Sequence, residues 1–260
     1  MVALLLYDPS VVVGFVFIMA VVWRWFAVPA DARRSEYLLL IGIFTLIVAP
    51  VAQAVAGSLS GLRPMKMDLY AYAADGTLGQ PAFVLGRMVA PHVWAKAVLN
   101  VVYGLLPIGV IVTLAAHIWR RSAGVGVMVW AFVINLAAAP IFYLLVPVCG
   151  PVFAFPMFPA GPGHVIPHMM RIDAAPNGMP SVHASTALLM VWFSRRSGVG
   201  FMLAMMNLLL LVAATLGSGQ HYAVDLLAAV PYAAGVLWLA KVVAPRVRVR
   251  TPAAQESPGR

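Results

Sequence analysis

Two short motifs and the chain between them decide the fold: Asn177-Gly178-Met179-Pro180-Ser181-Val182-His183 and Gly217-Ser218-Gly219-Gln220-His221-Tyr222-Ala223-Val224-Asp225. Two apolar runs joined by a pair of arginines lie between the motifs, and this pattern predicts a membrane hairpin with one histidine at each outer end. The histidines are 38 positions apart, which at about 1.5 Å per helical residue corresponds to one bilayer crossing and back. We therefore expect both imidazoles on the same side of the membrane.

The composition around this hairpin is that of a polytopic membrane protein. Of the 260 residues 63% are hydrophobic and 10% are charged, and the mean hydropathy is +0.94. A net charge of +9 would suggest a nucleic-acid partner in a soluble chain, but here the arginines collect at membrane edges, so no nucleic-acid partner is expected. The single Cys149 cannot form an internal disulfide and is expected to be a packing residue.

Seven candidate transmembrane spans follow from the apolar runs, at about 10–27, 37–56, 95–119, 126–148, 181–193, 199–216 and 221–243. Residues 58–94 mix charged and aromatic side chains, as in an interfacial or re-entrant segment, and the proline-rich residues 150–180 predict a loop without a long helix. The fold class is an all-α integral membrane bundle with a six-helix core. Residues 1–245 form one catalytic domain, centred on about 95–240, and 246–260 form a polar cytoplasmic tail.

The distribution of basic residues predicts the orientation. In the seven-span arrangement, 12 of the 17 Lys and Arg residues fall on the side that carries the Arg-Arg turns. Basic residues favour the cytoplasmic side, so both histidines should face outward. We expect an integral protein of a bacterial inner membrane whose site faces the periplasm or exterior.

The chemistry-bearing residues are those at the two ends of the hairpin. Asp225 lies four positions after His221, so on a helix starting there it would share the face of the histidine and hold one ring nitrogen as a donor. Acids inside a span are costly, and Asp225 is the only one in any predicted span. Ser181 is a favoured N-cap, and the free N–H groups of the turn after it could bind a phosphate.

These residue types support a phosphoryl-transfer scheme. His221 would attack the phosphate, and His183 would protonate the departing oxygen and then activate water or an alcohol. Such a scheme needs neither a metal nor another cofactor. His164 and His168 are spaced as helical metal ligands, but Pro167 between them disfavours the helix.

The quoted residues resemble the second and third signature motifs of the type 2 phosphatidic acid phosphatase superfamily, PSGH and SRxxxxxHxxxD. Here the second motif reads Pro-Ser-Val-His at 180–183, and the third keeps His221 and Asp225. The resemblance implies that His221 is the nucleophile, that Asp225 orients it, and that His183 is the general acid. The Asn177-Gly178-Met179 lead-in and residues 144–155 are more similar to the inositol phosphorylceramide synthase-like branch, which implies headgroup-phosphate transfer to a lipid alcohol.

The family's basic motifs are replaced in this chain. The Ser-Arg pair of the third motif falls on Ala214-Thr215, and the motif KxxxxxxRP is not found. The cation that would hold the phosphate must therefore come from elsewhere. The candidates are Arg171, the only cation of the proline-rich loop, and Lys66 and Arg87, which are predicted on the same side; Gln220 could donate to a phosphate oxygen.

The leading hypothesis is thus a phosphatase or phosphotransferase of lipid phosphoesters that works at the outer membrane face. A dedicated lipid phosphate hydrolase without an alcohol acceptor stays open, because hydrolysis and transfer share their first half-reaction. A non-enzymatic transporter or scaffold is the alternative of a different class, and the lack of a sequence repeat disfavours it. The sequence specifies neither the headgroup nor the oligomeric state.

Overall fold

The structure is a computed structural model, and it describes residues 59–120, 122 and 124–244. The predicted spans at 10–27 and 37–56 and the tail at 246–260 lie outside the described residues, so the seven-span count stays a prediction. The described chain is mostly helical, and its elements are, in order, β1 (Met65–Lys66), α1 (Asp68–Gly76), α2 (Pro81–Val89), α3 (Val93–Gly104), α4 (Leu106–Trp119), α5 (Val125–Leu145), α6 (Pro151–Ala154), β2 (Met170–Arg171), α7 (Val182–Ser194), α8 (Gly198–Gly217) and α9 (Ala223–Val243).

Three of the described helices are long and apolar enough to cross a membrane. They are α5, α8 and α9, with 21, 20 and 21 residues, and the bent pair α3 and α4 would make a fourth crossing if it acts as one span. Apolar helices of this length are typical of a membrane protein. The described part of the bundle therefore supplies three candidate spans, or four with the bent pair.

The span predicted at 95–119 is formed by two helices rather than by one straight helix. It breaks at Leu105 into α3 and α4, which are inclined to each other by 41°. Pro107 explains the break, because its ring lacks an N–H and would clash with the carbonyl one turn earlier in a continuous helix. Gly104, just before the break, adds backbone freedom.

Helix α7 is short, with 13 residues, and by composition it is apolar. At about 1.5 Å per residue it is roughly 20 Å long, less than the roughly 30 Å hydrocarbon thickness of a bilayer. Its predicted start is confirmed: Ser181 is the N-cap, with its side-chain oxygen accepting from the N–H of Ala184 at 3.3 Å.

The segments between the apolar helices gather at the histidine end of the bundle. Residues 65–89 form only β1 and two nine-residue helices, and 150–180 form only the four-residue α6 and β2, which confirms that the proline-rich loop contains no long helix. The two strands pair antiparallel, with Met65 opposite Arg171. Helix α1 in turn packs on α9 and α6. The two segments thus contact each other and the histidine end of the bundle, while their side of the membrane stays a prediction.

A buried polar network centred on Asn135 joins helices in the described part of the bundle. Asn135 on α5 donates through Nδ2 to Oγ1 of Thr186 at 2.9 Å, and its Oδ1 accepts from Oγ of Ser185 at 2.7 Å. Its carbonyl oxygen accepts from the Tyr232 hydroxyl of α9 at 2.5 Å. This residue joins three helices, as expected for an interhelical hydrogen-bonding asparagine. It also anchors α7 one turn below His183.

Candidate active site

The chain folds back on itself between α8 and α9. The backbone N–H groups of Gln220 and His221 both donate to the carbonyl of Thr215, at 2.9 and 3.3 Å, and Gly219 in this turn has a φ of +72°. His221 therefore stands beside the last turns of α8 and ahead of α9. The sequence prediction placed His221 at the start of the helix; in the structure α9 begins two residues later, at Ala223.

Asp225 nevertheless reaches His221, for a different reason from the one predicted. It is the third residue of α9, and its Oδ2 turns back to accept from the backbone N–H of Tyr222 at 2.8 Å. The same oxygen lies 3.4 Å from Nδ1 of His221, within ion-pair distance. Nδ1 of His221 and Oδ1 of Asp225 are both buried without a hydrogen-bond partner among the described residues. Hydrogen bonds between catalytic residues are often long without substrate and shorten when it binds. We expect the same of the distance between Nδ1 of His221 and Oδ2 of Asp225.

His183 sits in the first turn of α7, facing His221. The two ring centroids are 6.2 Å apart, with their planes inclined by 56°. The backbones also meet, because the N–H of Ser181 donates to the carbonyl oxygen of Asp225 at 3.2 Å. The four residues predicted at the centre of the site, Ser181, His183, His221 and Asp225, are thus brought together.

A tyrosine that the sequence did not single out completes the surroundings of His183. The ring of Tyr103, near the end of α3, stacks on the imidazole with centroids 4.2 Å apart. Its hydroxyl lies 3.2 Å from Nδ1 of His183. If Nδ1 carries a proton toward this oxygen, Nε2 remains for proton transfer. The only sequence signal was a tyrosine within an apolar run, whose hydroxyl needs a polar partner.

Two buried acids of α1, which no sequence motif singled out, also lie at the site. Asp68 accepts from the backbone N–H groups of Cys149 and Gly150 and, at 3.1 Å, from the hydroxyl of Tyr222. Burial raises the pKa of Asp68 to about 6, although these donors favour its ionised form. Asp75 accepts from the first N–H groups of α9, and burial raises its pKa as well.

The proline-rich loop closes over the turn that carries His221. Val152 donates its N–H to the carbonyl of Gly219 at 2.9 Å. Gly150 has a φ of +114°, and a Cβ there would clash with the carbonyl of Gln220, so only glycine fits. Next to it Cys149 is buried, and burial raises the pKa of its thiol to about 12. Cys149 is therefore the packing residue that the sequence predicted.

The predicted phosphate-clamp residues are not brought to the histidines. Lys66 is fully buried and donates through Nζ to the carbonyl of Arg63, while Arg171 and Arg87 are exposed. None of the three forms a hydrogen bond or ion pair with either histidine in the described part of the chain. Gln220 is half-buried, and its backbone rather than its side chain supports the turn.

A cleft borders the site between α2, α3 and the end of α8. Its volume is about 230 Å³, and its lining is mainly apolar, with Lys96, Asn100 and Ser218 as the polar members. Ser218 precedes His221 by three residues, and Asn100 lies one turn before Tyr103 on α3. Lys96 is thus a cation of the bordering cleft, and it was not among the candidates that the sequence offered. Lys96 lies seven positions before Tyr103, which is two helical turns on the same face. This spacing was the sequence signal that could have linked Lys96 to the site.

Metal ligands do not gather anywhere in the described ranges. No group of three or more His, Cys, Asp or Glu side chains there could hold a metal ion. His164 and His168 lie in the extended part of the proline-rich loop, where Nδ1 of His168 is 2.9 Å from the carbonyl oxygen of Ile166.

Comparison with known proteins identifies the family. The model of the PAP2 superfamily matches residues 72–239, which is more than half of the chain and includes every residue of the site described above except Asp68. No curated protein and no solved structure matches the chain. The chain belongs to the PAP2 superfamily, and this membership suggests a phosphatase-type activity.

Proposed function

We propose that this member of the PAP2 superfamily is a membrane lipid-phosphoester phosphatase or phosphotransferase that acts through a phosphohistidine on His221. One observation carries the proposal: the rings of His183 and His221 face each other at 6.2 Å, and Asp225 stands 3.4 Å from His221. A nucleophile, an orienting carboxylate and a second proton-transfer group at these distances form the arrangement that covalent phosphoryl transfer requires.

In the first half-reaction, Nε2 of His221 attacks phosphorus, the N–P bond forms and the P–O bond to the leaving group breaks. Asp225 holds the Nδ1 proton of His221 and so leaves Nε2 with its lone pair. His183 gives its proton to the departing oxygen, which becomes the alcohol of the product. In the second half-reaction His183 accepts a proton from water or from an alcohol, whose oxygen attacks phosphorus and releases His221.

The phosphate oxygens need donors, and the start of α7 offers them. The N–H groups of Val182 and His183 lie at the first two helical positions, where no carbonyl of the helix itself can accept from them, whereas that of Ala184 is capped by Ser181. The first N–H groups of α9 are unsuitable, because carboxylates already occupy them. We therefore assign the phosphate to the first turn of α7, where the helix dipole also favours an anion.

The cation that accompanies this phosphate is best supplied by Lys96. It lines the cleft beside the turn of His221, and its apolar neighbours there suit the glycerol or acyl portion of a lipid. Lys66 donates to a backbone carbonyl, and Arg171 and Arg87 are exposed like Lys96 but do not line the cleft. The branch resemblance favours transfer to a lipid alcohol, and a hydrolase without an acceptor differs only in the second half-reaction.

The experiment is a substrate panel on the purified protein in detergent. Phosphatidic acid and other lipid phosphates are offered with and without an alcohol acceptor, and both free phosphate and the transferred product are measured. We expect turnover by the wild type, none by His221→Ala, and unchanged turnover by His164→Ala, an exposed loop histidine. Full activity of His221→Ala would overturn the mechanism. Strict dependence on a divalent metal, tested with a chelator, would point to a different chemistry.

The proposed outward orientation has its own test. Single cysteines placed in the proline-rich loop, in a chain whose Cys149 is replaced by Ala, are treated in whole cells with a membrane-impermeant thiol reagent. Labelling from outside is expected, and labelling only after the membrane is opened would reverse the orientation.

A further inference from the structure

Asp75 binds the first turn of a helix that is distant in sequence. Its Oδ2 accepts from the N–H of Ala223 and its Oδ1 from the N–H of Val224, each at 2.9 Å. The two donors are the first two residues of α9, which lie 148 and 149 positions from Asp75. The carboxylate is fully buried. A bidentate, charge-assisted contact of this kind is among the stronger hydrogen-bonded arrangements in proteins.

This contact is not an ordinary helix cap. The N-terminal N–H groups of a helix are usually capped by its own N-cap side chain, but here the N-cap is Tyr222 and its hydroxyl is bonded elsewhere, to Asp68. Asp225 supplies an acceptor for the N–H of Tyr222 only. The next two N–H groups therefore depend on Asp75, so the start of α9 is fixed from α1.

The start of α9 is also what sets the distance between the nucleophile and its partner. His221 lies two residues before this helix and Asp225 is its third residue, so a shift of the first turn moves one relative to the other. Their present separation is 3.4 Å, at the edge of hydrogen-bond range. A displacement of a few tenths of an ångström would break or make the contact.

From this geometry, and resting on the proposed function, we infer that Asp75 is a positioning residue of the phosphoryl-transfer reaction. It touches neither histidine in the structure, and it acts by holding Ala223 and Val224 so that Asp225 stands beside His221. The negative charges of Asp75 and Asp225 repel each other, and the two N–H donors offset that cost. Burying one carboxylate near another is destabilising. That Asp75 is nevertheless buried here indicates that it is needed to hold the start of α9.

Two variants test the inference. Asp75→Asn keeps the shape but turns one acceptor into an amide donor facing an N–H group. Ala223→Pro removes one of the two donors at the first helical position, where proline is well tolerated, so it weakens the contact and keeps the start of the helix. We expect kcat for phosphate release from phosphatidic acid to fall about tenfold or more in Asp75→Asn and less in Ala223→Pro, with KM within about twofold of the wild type.

A variant that only destabilised the fold would lower the unfolding temperature but would not lower kcat at a nearly constant KM. The matched control is His117→Leu, which loses contacts to the carbonyls of Thr113 and Phe193 at the far end of α7. It should lower the unfolding temperature and preserve kcat. Asp173→Asn, an exposed acid, should change neither.

A second readout needs no substrate. Carbethoxylation of His221 by diethyl pyrocarbonate is followed by mass spectrometry, and it should be slow in the wild type, where His221 is 4% exposed. We expect at least about fivefold faster labelling of His221 in Asp75→Asn, with His164 unchanged. Unchanged labelling of His221 overturns the inference, as does an unchanged kcat in a variant whose labelling rises. A wild type without turnover refutes the proposed function instead, and the labelling rate then decides the positioning role by itself.

Discussion

Tyr103 and His183 form a stacked pair across the interface of α3 and α7, with ring centroids 4.2 Å apart and the phenol oxygen 3.2 Å from Nδ1. The phenol oxygen can accept a hydrogen bond from Nδ1 both when His183 is neutral and when it is protonated. It therefore fixes which nitrogen is free for proton transfer and steadies the imidazolium that donates to the leaving group. Neither consequence could be deduced from the two residues' places in the sequence.

Tyr103→Phe keeps the stacked ring and removes only this hydrogen bond. A hydrogen bond to a charged group contributes about 1.5–3 kcal/mol, so kcat should fall by about tenfold or more while the protein stays folded. The measurement is kcat for phosphatidic acid hydrolysis, with circular dichroism as the folding check. Tyr70→Phe, an exposed tyrosine on α1, is the control. Wild-type kcat in Tyr103→Phe would show that the hydroxyl does not serve the reaction.

His183→Ala should separate the two chemical steps. Protonation of the leaving group contributes about 10²–10⁴-fold for an alkoxide, and much less for a leaving group that departs unprotonated. We expect the rate of this variant on phosphatidic acid to fall at least 10²-fold. The rate at which para-nitrophenyl phosphate phosphorylates the enzyme should stay close to that of the wild type. The phosphorylation rate is measured by rapid quench.

His221→Ala provides the contrast for that experiment, because without the nucleophile no phosphoenzyme can form from either substrate. If the rates of His183→Ala with phosphatidic acid and with para-nitrophenyl phosphate fall by the same factor, then His183 is not the general acid. If His221→Ala still traps phosphate, then the nucleophile is a different residue.

Lys96→Gln should weaken substrate binding more than chemistry. A cation that contacts the phosphate equally in the ground and transition states changes KM and leaves kcat nearly unchanged. We expect KM for phosphatidic acid to rise about tenfold, which corresponds to about 1.4 kcal/mol, with kcat within about threefold. Arg87→Gln and Arg171→Gln are compared in parallel. A larger KM effect in either of these two would assign the phosphate contact to that arginine instead of Lys96.

The sequence predicted the centre of the site because its residues lie in two short motifs. Ser181 and His183 share one helix start, and His221 and Asp225 are four apart, so local chemistry was enough to choose them. The physical basis of the second contact was nevertheless wrong, since His221 precedes α9 and Asp225 turns back to it as a capping residue. A four-residue spacing brings side chains together in both geometries.

The residues that the sequence did not assign are those whose partners are far away along the chain. Asp68 and Asp75 bind groups more than 80 positions later, and such pairings depend on how helices pack rather than on any periodicity. The sequence also could not rank the candidates for the phosphate-binding cation, because a predicted common side of the membrane does not show which side chain contacts the histidines. The break at Leu105 was readable in principle, because Pro107 follows it.

The buried carboxylate of Asp68 predicts a specific pH dependence of stability. Burial raises its pKa from 3.8 to about 6 in the folded protein, so the folded state holds the proton more tightly than the unfolded chain does. The contribution of Asp68 to the free energy of unfolding is therefore fully present below about pH 4, and it is lost as the pH rises through about 6. A shift of about two pKa units corresponds to at most about 3 kcal/mol.

This dependence is isolated by comparison with Asp68→Asn, which cannot titrate but leaves Tyr222 and Asp225 in place. Thermal unfolding of the detergent-solubilised proteins is followed from about pH 4 to pH 7.5. The wild type should lose stability relative to the variant between about pH 4 and 6, and the difference should then stay constant. Asp173→Asn, an exposed acid of the proline-rich loop, should track the wild type at every pH. A difference between wild type and Asp68→Asn that does not vary with pH would mean that the donors from Gly150, Cys149 and Tyr222 outweigh burial and keep Asp68 ionised throughout.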